Sequence, residues 1–214
     1  MILEKNSHQL ILMVIAAAAV FMDYLDTSIV SIALPAITAD FGTGSAVSAW
    51  IMTGYLLALA SMLLVFGKLA DRTGRYREIF ITGFVLFTIA SFLCGISGNI
   101  LMLILCRAAM MVGTATMLVM LHLPEKRKGM AAGMLATLGG AALAFGPGLG
   151  GVIAEYLSWH WIFFINIPIG LIGILGALFI IPKAESFPKP DKPFDFAGAF
   201  LLAATLLVFL AGLE

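Results

Sequence analysis

The sequence predicts an all-α integral membrane protein, and three observations predict it. Hydrophobic residues make up 62% of the 214 residues and charged residues 11%, with a mean hydropathy of +1.09. A soluble domain is roughly half apolar and a quarter charged. The apolar residues gather into seven runs, each near the ~20 residues needed to cross a hydrocarbon core about 30 Å thick at ~1.5 Å per residue. The basic residues fall almost wholly between alternate runs.

The first run, Leu10 to Leu34, is 25 residues long and lacks a small-residue cleavage site, so it reads as a retained span and not as a signal peptide. The second is Ala46 to Phe66. The third, Ile79 to about Gly95, and the fourth, about Ile100 to Leu121, are separated only by GISGN (95–99). The glycines and Asn99 of that stretch suit the positive-φ positions of a tight turn, which makes the two spans a hairpin. The fifth run is Met130 to Ala154 and the sixth Ile162 to Ile181. PKAESFPKPDKPFD (182–195), with four prolines and alternating charges, reads as a linker, and a truncated seventh span, Phe196 to Leu213, follows. The expected organisation is a six-span bundle over 1–181, a linker over 182–195 and the start of another span over 196–214.

Orientation follows from lysine and arginine. With the N-terminus inside, the inner segments hold Lys5, then Lys68, Arg72, Arg75 and Arg77, then Lys126, Arg127 and Lys128, then Lys183, Lys189 and Lys192, which is 11 of the 12 basic residues. The outer loops hold none. Cationic loops resist translocation, so the N-terminus is expected in the cytoplasm and the protein in the cell membrane.

The twelfth basic residue, Arg107, lies inside the fourth run, and Asp23 and Asp26 lie inside the first. Counting at ~1.5 Å per residue, Asp26 is about 12 Å and Asp23 about 16 Å below the outer end of span one, and Arg107 is about 10 Å below the same surface. A charge near the bilayer centre costs about 2.5 to 3.5 kcal/mol on insertion scales, so such residues pair or line wet cavities. Asp23 and Asp26 are three apart and share a helix face. Spans one and four are therefore expected to face each other across a hydrated cleft, with Arg107 opposite the aspartates. A static pair that fixes helix register is the other reading, but buried ion pairs are a poor source of net stability. Two carboxylates beside one arginine cannot all be neutralised pairwise, which leaves a carboxylate able to carry a proton.

FGKLADRTGRYREI (66–79), between spans two and three, resembles the GxLaDrxGRrxxL loop of the major facilitator superfamily. Gly67 and Gly74 would allow a tight reversal, and Asp71 and Arg75, four apart, could pair beside Arg72. LDTSIVSIALP (25–35) is similar to the LDxTIVNVALP signature of the drug:proton antiporters with fourteen spans, and WHWIFFINIPIG (159–170) to their WRWIFxINxPIG stretch, with His160 in place of arginine. In span five, Gly133, Ala142, Gly146, Pro147, Gly150 and Gly151 resemble the glycine and proline spacing of the antiporter motif. Small residues at such intervals let helices approach closely, and Pro147 permits a bend. Ordinary tight packing would use the same residues.

The resemblance implies two inverted three-helix repeats forming the N-terminal bundle of a proton-driven exporter of hydrophobic or cationic small molecules, working by alternating access. Asp26 would carry the proton, aided by Asp23 and modulated by Arg107, and the loop from Gly67 to Arg75 would gate the cytoplasmic side. Protons would be the coupling ion, with no cofactor and no metal; the partners would be a small-molecule substrate, the lipid bilayer and a missing C-terminal half or second chain, and no nucleic acid. The sequence departs from the pattern at RAAMMVG (107–113), where Met110 and Met111 replace polar and glycine positions, and about two helical turns are missing before PEKRKG (124–129). The competing reading is a non-transporting truncated protein that assembles with another chain. Enzymatic function finds no support: His8, His122 and His160 lie at or beyond the membrane edges, and neither GxSxG nor HExxH occurs. Cys94 and Cys106 both fall in apolar runs, which argues against a disulfide or a metal site.

Overall fold

The computed structural model describes residues 6–110 and 123–181 together with residues 198, 201, 204, 205 and 208; the side chains of residues 6–8, 63, 64, 67, 68, 71, 72, 76 and 180 fall outside that description. The described residues form seven helices: α1 (Asn6–Phe41), α2 (Ser45–Thr73), α3 (Tyr76–Gly95), α4 (Ile100–Ala108), α5 (Glu125–Tyr156), α6 (His160–Phe164) and α7 (Asn166–Ile180). Residues 198, 201, 204, 205 and 208 are also helical. The linker over 182–195 and the inner end of the fourth span, residues 111–122, lie outside the described residues, as does most of the seventh span.

Three connections differ from the sequence expectation. The reversal between the second and third spans is far shorter than 66–79, because α2 continues to Thr73 and α3 begins at Tyr76. Only Gly74 and Arg75 turn the chain. Gly74 takes φ 65°, and its N–H donates to the Ala70 carbonyl at 2.8 Å, a left-handed cap that glycine adopts without Cβ strain. Gly67, Asp71 and Arg72 therefore stand on helix α2, with side chains outside the described residues; Arg75 is exposed, and its N–H donates to Thr73 Oγ1 at 3.3 Å.

The turn over 95–99 uses no positive φ. Asn99 instead has an extended backbone and caps α4, its side chain accepting from the Met102 N–H at 2.8 Å. Gly95 is needed for space, because a Cβ there would lie against the Phe164 ring. The sixth span is divided. Pro168 has no N–H for the Phe164 carbonyl, and Ile165 separates α6 from α7.

Helix α1 lies at the centre, packing against α2, α5, α6 and α7, while α3 packs against α2, α4, α6 and α7. The inward face of α3 carries Phe80, Phe84, Phe87, Ser91 and Cys94 at helical spacing, all buried. The polarity is that of a membrane bundle: Phe179 is 86% and Ile172 71% exposed, whereas Arg107 is 0% exposed. Five helical stretches among the described residues are long and apolar enough to cross a membrane.

Helix α5 meets α1 along one stripe, Ala131, Leu135, Gly139, Ala142, Gly146, Gly150 and Ile153, which recurs every three or four residues. A Cβ on Gly146 would collide with the Ser28 side chain, and one on Gly150 would lie 3.1 Å from the Ile29 carbonyl oxygen. Gly133 and Gly151 do not share in this packing, since a Cβ on either meets nothing within 4 Å. The stripe turns by ~100° per residue and passes them by; Gly139, on the stripe, packs against Tyr24 instead. Pro147 lies within a helix that continues on both sides of it.

Candidate functional site

Arg107, one residue before the end of α4, donates from Nη1 to Asp26 Oδ2 on α1, and both side chains are fully buried. The same Nη1 approaches Met110 Sδ at 3.5 Å. The guanidinium lies over the Tyr55 ring of α2, 4.2 Å from its centroid, and 6.0 Å from the Phe163 ring of α6. A packed interior stands where the sequence suggests a hydrated cleft, because aromatic and sulfur-bearing side chains from neighbouring helices close around the pair.

Asp26 is held from the other side as well. Asn166, the first residue of α7, donates one amide hydrogen to Asp26 Oδ1 at 2.7 Å and another to Ser91 Oγ at 3.1 Å. Ser91 then donates to the Phe163 carbonyl at 2.8 Å, beside the break between α6 and α7. Helices α4 and α7 thus meet on the carboxylate carried by α1, and α3 and α6 are tied in through Asn166 and Ser91. This network lets Asp26 stay buried, because each of its oxygens has a donor.

Asp23 is set apart. It is half-buried, and its Oδ1 accepts from the Tyr55 hydroxyl. Tyr55 therefore touches both aspartate environments, its hydroxyl on Asp23 and its ring under Arg107. Arg107 Nε and Nη2 are buried without a hydrogen-bond partner among the described residues.

Three residues of this site, Tyr55, Ser91 and Asn166, are not among those the sequence singles out. Asn166 stands within the quoted WHWIFFINIPIG stretch, and Tyr55 and Ser91 are polar residues in apolar runs, which is a weak signal for each. Away from these groups, an apolar cavity of about 270 Å³ lies between α1, α5 and α7, lined by Val14, Ala17, Ala18, Phe21, Met134, Leu138 and Ile169. None of the charged residues lines it.

The chain is 38% identical over 208 residues to the riboflavin transporter RibZ of Clostridioides difficile (strain 630), the match covering 94% of this chain and 45% of that protein. It is 39% identical over 206 residues to the putative multidrug resistance protein MdtD of Escherichia coli (strain K12 / DH10B), covering 94% of this chain and 43% of that one. Thus the chain spans less than half the length of these curated relatives. Among solved structures, a bacterial homologue of the human lysosomal transporter Spinster, inward-facing and unoccupied, superposes with a TM-score of 0.62 at 21% identity, covering 92% of this chain and 48% of that one. That likeness concerns the fold. The Major Facilitator Superfamily model matches residues 16–213, and with a helical membrane bundle built around a buried charge pair, the chain belongs to that superfamily.

Proposed function

We propose that this chain forms the N-terminal bundle, residues 1–181, of a secondary transporter that exports hydrophobic or cationic small molecules in exchange for protons. The observation that carries the reading is the enclosed Asp26–Arg107 pair with a second carboxylate, Asp23, on the same helix. A static pair needs one acid, and a buried ion pair is a poor source of net stability even when fully hydrogen-bonded. Protonation of Asp26 loosens the pair, and a cationic substrate competes with the proton for the same negative charge. MdtD, named for multidrug resistance, and RibZ, named for riboflavin transport, support a small-molecule cargo without choosing one.

In this reading the N-terminus faces the cytoplasm of a cell membrane, as the 11 inner basic residues suggest. The segment from Gly67 to Arg75, including Asp71, Arg72 and Gly74, acts as the cytoplasmic latch. Gly146, Gly150 and Pro147 let α5 lie close along α1, giving the bundle a rigid seam to rock about. The second wall of the cavity belongs to a further bundle, on this polypeptide or another, and residues 182–195 act as the linker towards it.

The test is proton release by the protein purified as the cell produces it, in weakly buffered detergent solution, with ethidium as the cationic probe. Ethidium binding should release protons, and Asp26→Asn should abolish the release while leaving the fold intact. Release undiminished in that variant removes Asp26 from the mechanism.

A further inference from the structure

Among the described residues, one nitrogen of the Arg107 guanidinium is engaged, Nη1, by Asp26 and by the Met110 sulfur. Nε and Nη2 are equally enclosed and have no acceptor among the described residues. A buried donor without a partner is uncommon and calls for an explanation, the more so on a cation. The nearby acceptor not yet paired with it is Asp23, three residues and about 4.5 Å along the same helix from Asp26. Asp23 is tethered by the Tyr55 hydroxyl, and the ring of that same tyrosine lies 4.2 Å from the guanidinium carbon.

We propose that Tyr55 is a positioning residue for a carboxylate exchange, in which Arg107 leaves Asp26 for Asp23 when Asp26 takes up a proton. The proposal rests on the proton-coupled reading above and adds a residue and a second state to it. The proton comes from water and bonds to Asp26; the guanidinium keeps all its hydrogens, and its charge is matched by Asp23 in place of Asp26. Protonated Asp26 still offers an oxygen to Asn166. Asp23 accepts Tyr55 with one oxygen and has the other for the guanidinium.

The titratable groups around Arg107 are Asp23 and Asp26 from α1, Tyr55 from α2 and Cys94 from α3; α6 and α7 present Phe163 and the neutral Asn166. Asp23 is thus the one other acid within reach among the described residues. It is half-buried where Asp26 is closed in, so the exchange moves the cation towards the more open flank of α1.

Infrared spectra of the purified chain in lipid nanodiscs test this, with isotope-labelled arginine marking the guanidinium bands. Asp26→Asn imitates the protonated acid. The bands should keep the carboxylate-paired position in D26N and shift to the unpaired position in D26N/D23N. Tyr55→Phe keeps the ring and loses the tether: it should leave the bands in place when Asp26 is present and shift them in the D26N background. A merely structural tyrosine would act equally in both backgrounds. Unpaired bands in D26N alone overturn the proposal, as does indifference of D26N to Y55F. Should D26N/D23N fail to fold, the comparison of D26N with D26N/Y55F decides. The spectra need neither substrate nor gradient, so they separate this exchange from the export reading, which ethidium-driven proton release tests.

Discussion

The Ser28 hydroxyl donates to the Leu143 carbonyl at 3.2 Å across the seam between α1 and α5. Leu143 is the residue four before Pro147, so its carbonyl is the one that proline leaves without an intrahelical donor. In hydrocarbon no water can replace that donor, and a side chain from the neighbouring helix does so instead.

Ser28→Ala should therefore lower stability by about 1 kcal/mol, the usual worth of one such bond. Pro147→Ala returns an N–H to Leu143, so the double variant should recover most of that loss. Thermal unfolding of the four proteins in detergent measures the coupling, and strict additivity would show that the two residues do not share the carbonyl.

Gly146→Ala places a Cβ into the Ser28 side chain, whereas Gly133→Ala and Gly151→Ala place it in open space. The first should destabilise by about 1–3 kcal/mol through forced separation of α1 and α5. The other two should be neutral or stabilise by up to about 1 kcal/mol, because alanine favours helix over glycine. Equal unfolding midpoints for all three would contradict the packing of this seam.

Asn166→Ala removes the donor to Asp26 Oδ1 and to Ser91 at once. The expected cost is about 1–3 kcal/mol, that of leaving a buried polar group unpaired. Ser91→Ala should cost less, since it keeps both donors on the Asp26 carboxylate and orphans only neutral groups, the Phe163 carbonyl and one Asn166 amide hydrogen. Denaturant titration in mixed micelles ranks them; a larger effect at Ser91 would reverse the hierarchy drawn from the geometry.

At the membrane edge Arg77 Nη2 donates to the Leu178 carbonyl at 2.6 Å, in the last turn of α7. A cation there satisfies a free carbonyl and opposes the negative end of the helix dipole, worth about 0.3–1 kcal/mol. Arg77→Gln should speed amide exchange in the last turn of α7 and leave α1 unchanged.

Sidedness can be read by labelling. With Cys94 and Cys106 replaced, Arg75→Cys should react with an impermeant thiol reagent only in inside-out vesicles, and Ser45→Cys only in right-side-out ones. The opposite pattern would invert the orientation argued from the basic residues.

Much of the bundle was legible because its causes are local. Apolar run lengths located the first, second, third, fifth and sixth spans, and a fixed rise per residue puts Asp26 and Arg107 at similar depth, where they meet. Asn99, by contrast, resembled a turn residue and serves as a helix cap, because capping depends on where the following helix begins. Gly133 and Gly151 matched a spacing pattern but lie off the seam, since a pattern in sequence does not say which face a neighbour will occupy.

By itself the sequence determined the solvent, the apolar helical runs and the presence of acids and a base within them, since each depends on composition and on the rise of a single helix. Only the tertiary structure decided that Asp26 is shared among Arg107, Asn166 and, through it, Ser91, while Asp23 goes to Tyr55. Those partners come from different helices, and a buried charge takes whichever donors the packing of those helices brings to it, a choice that no periodicity along one chain segment encodes.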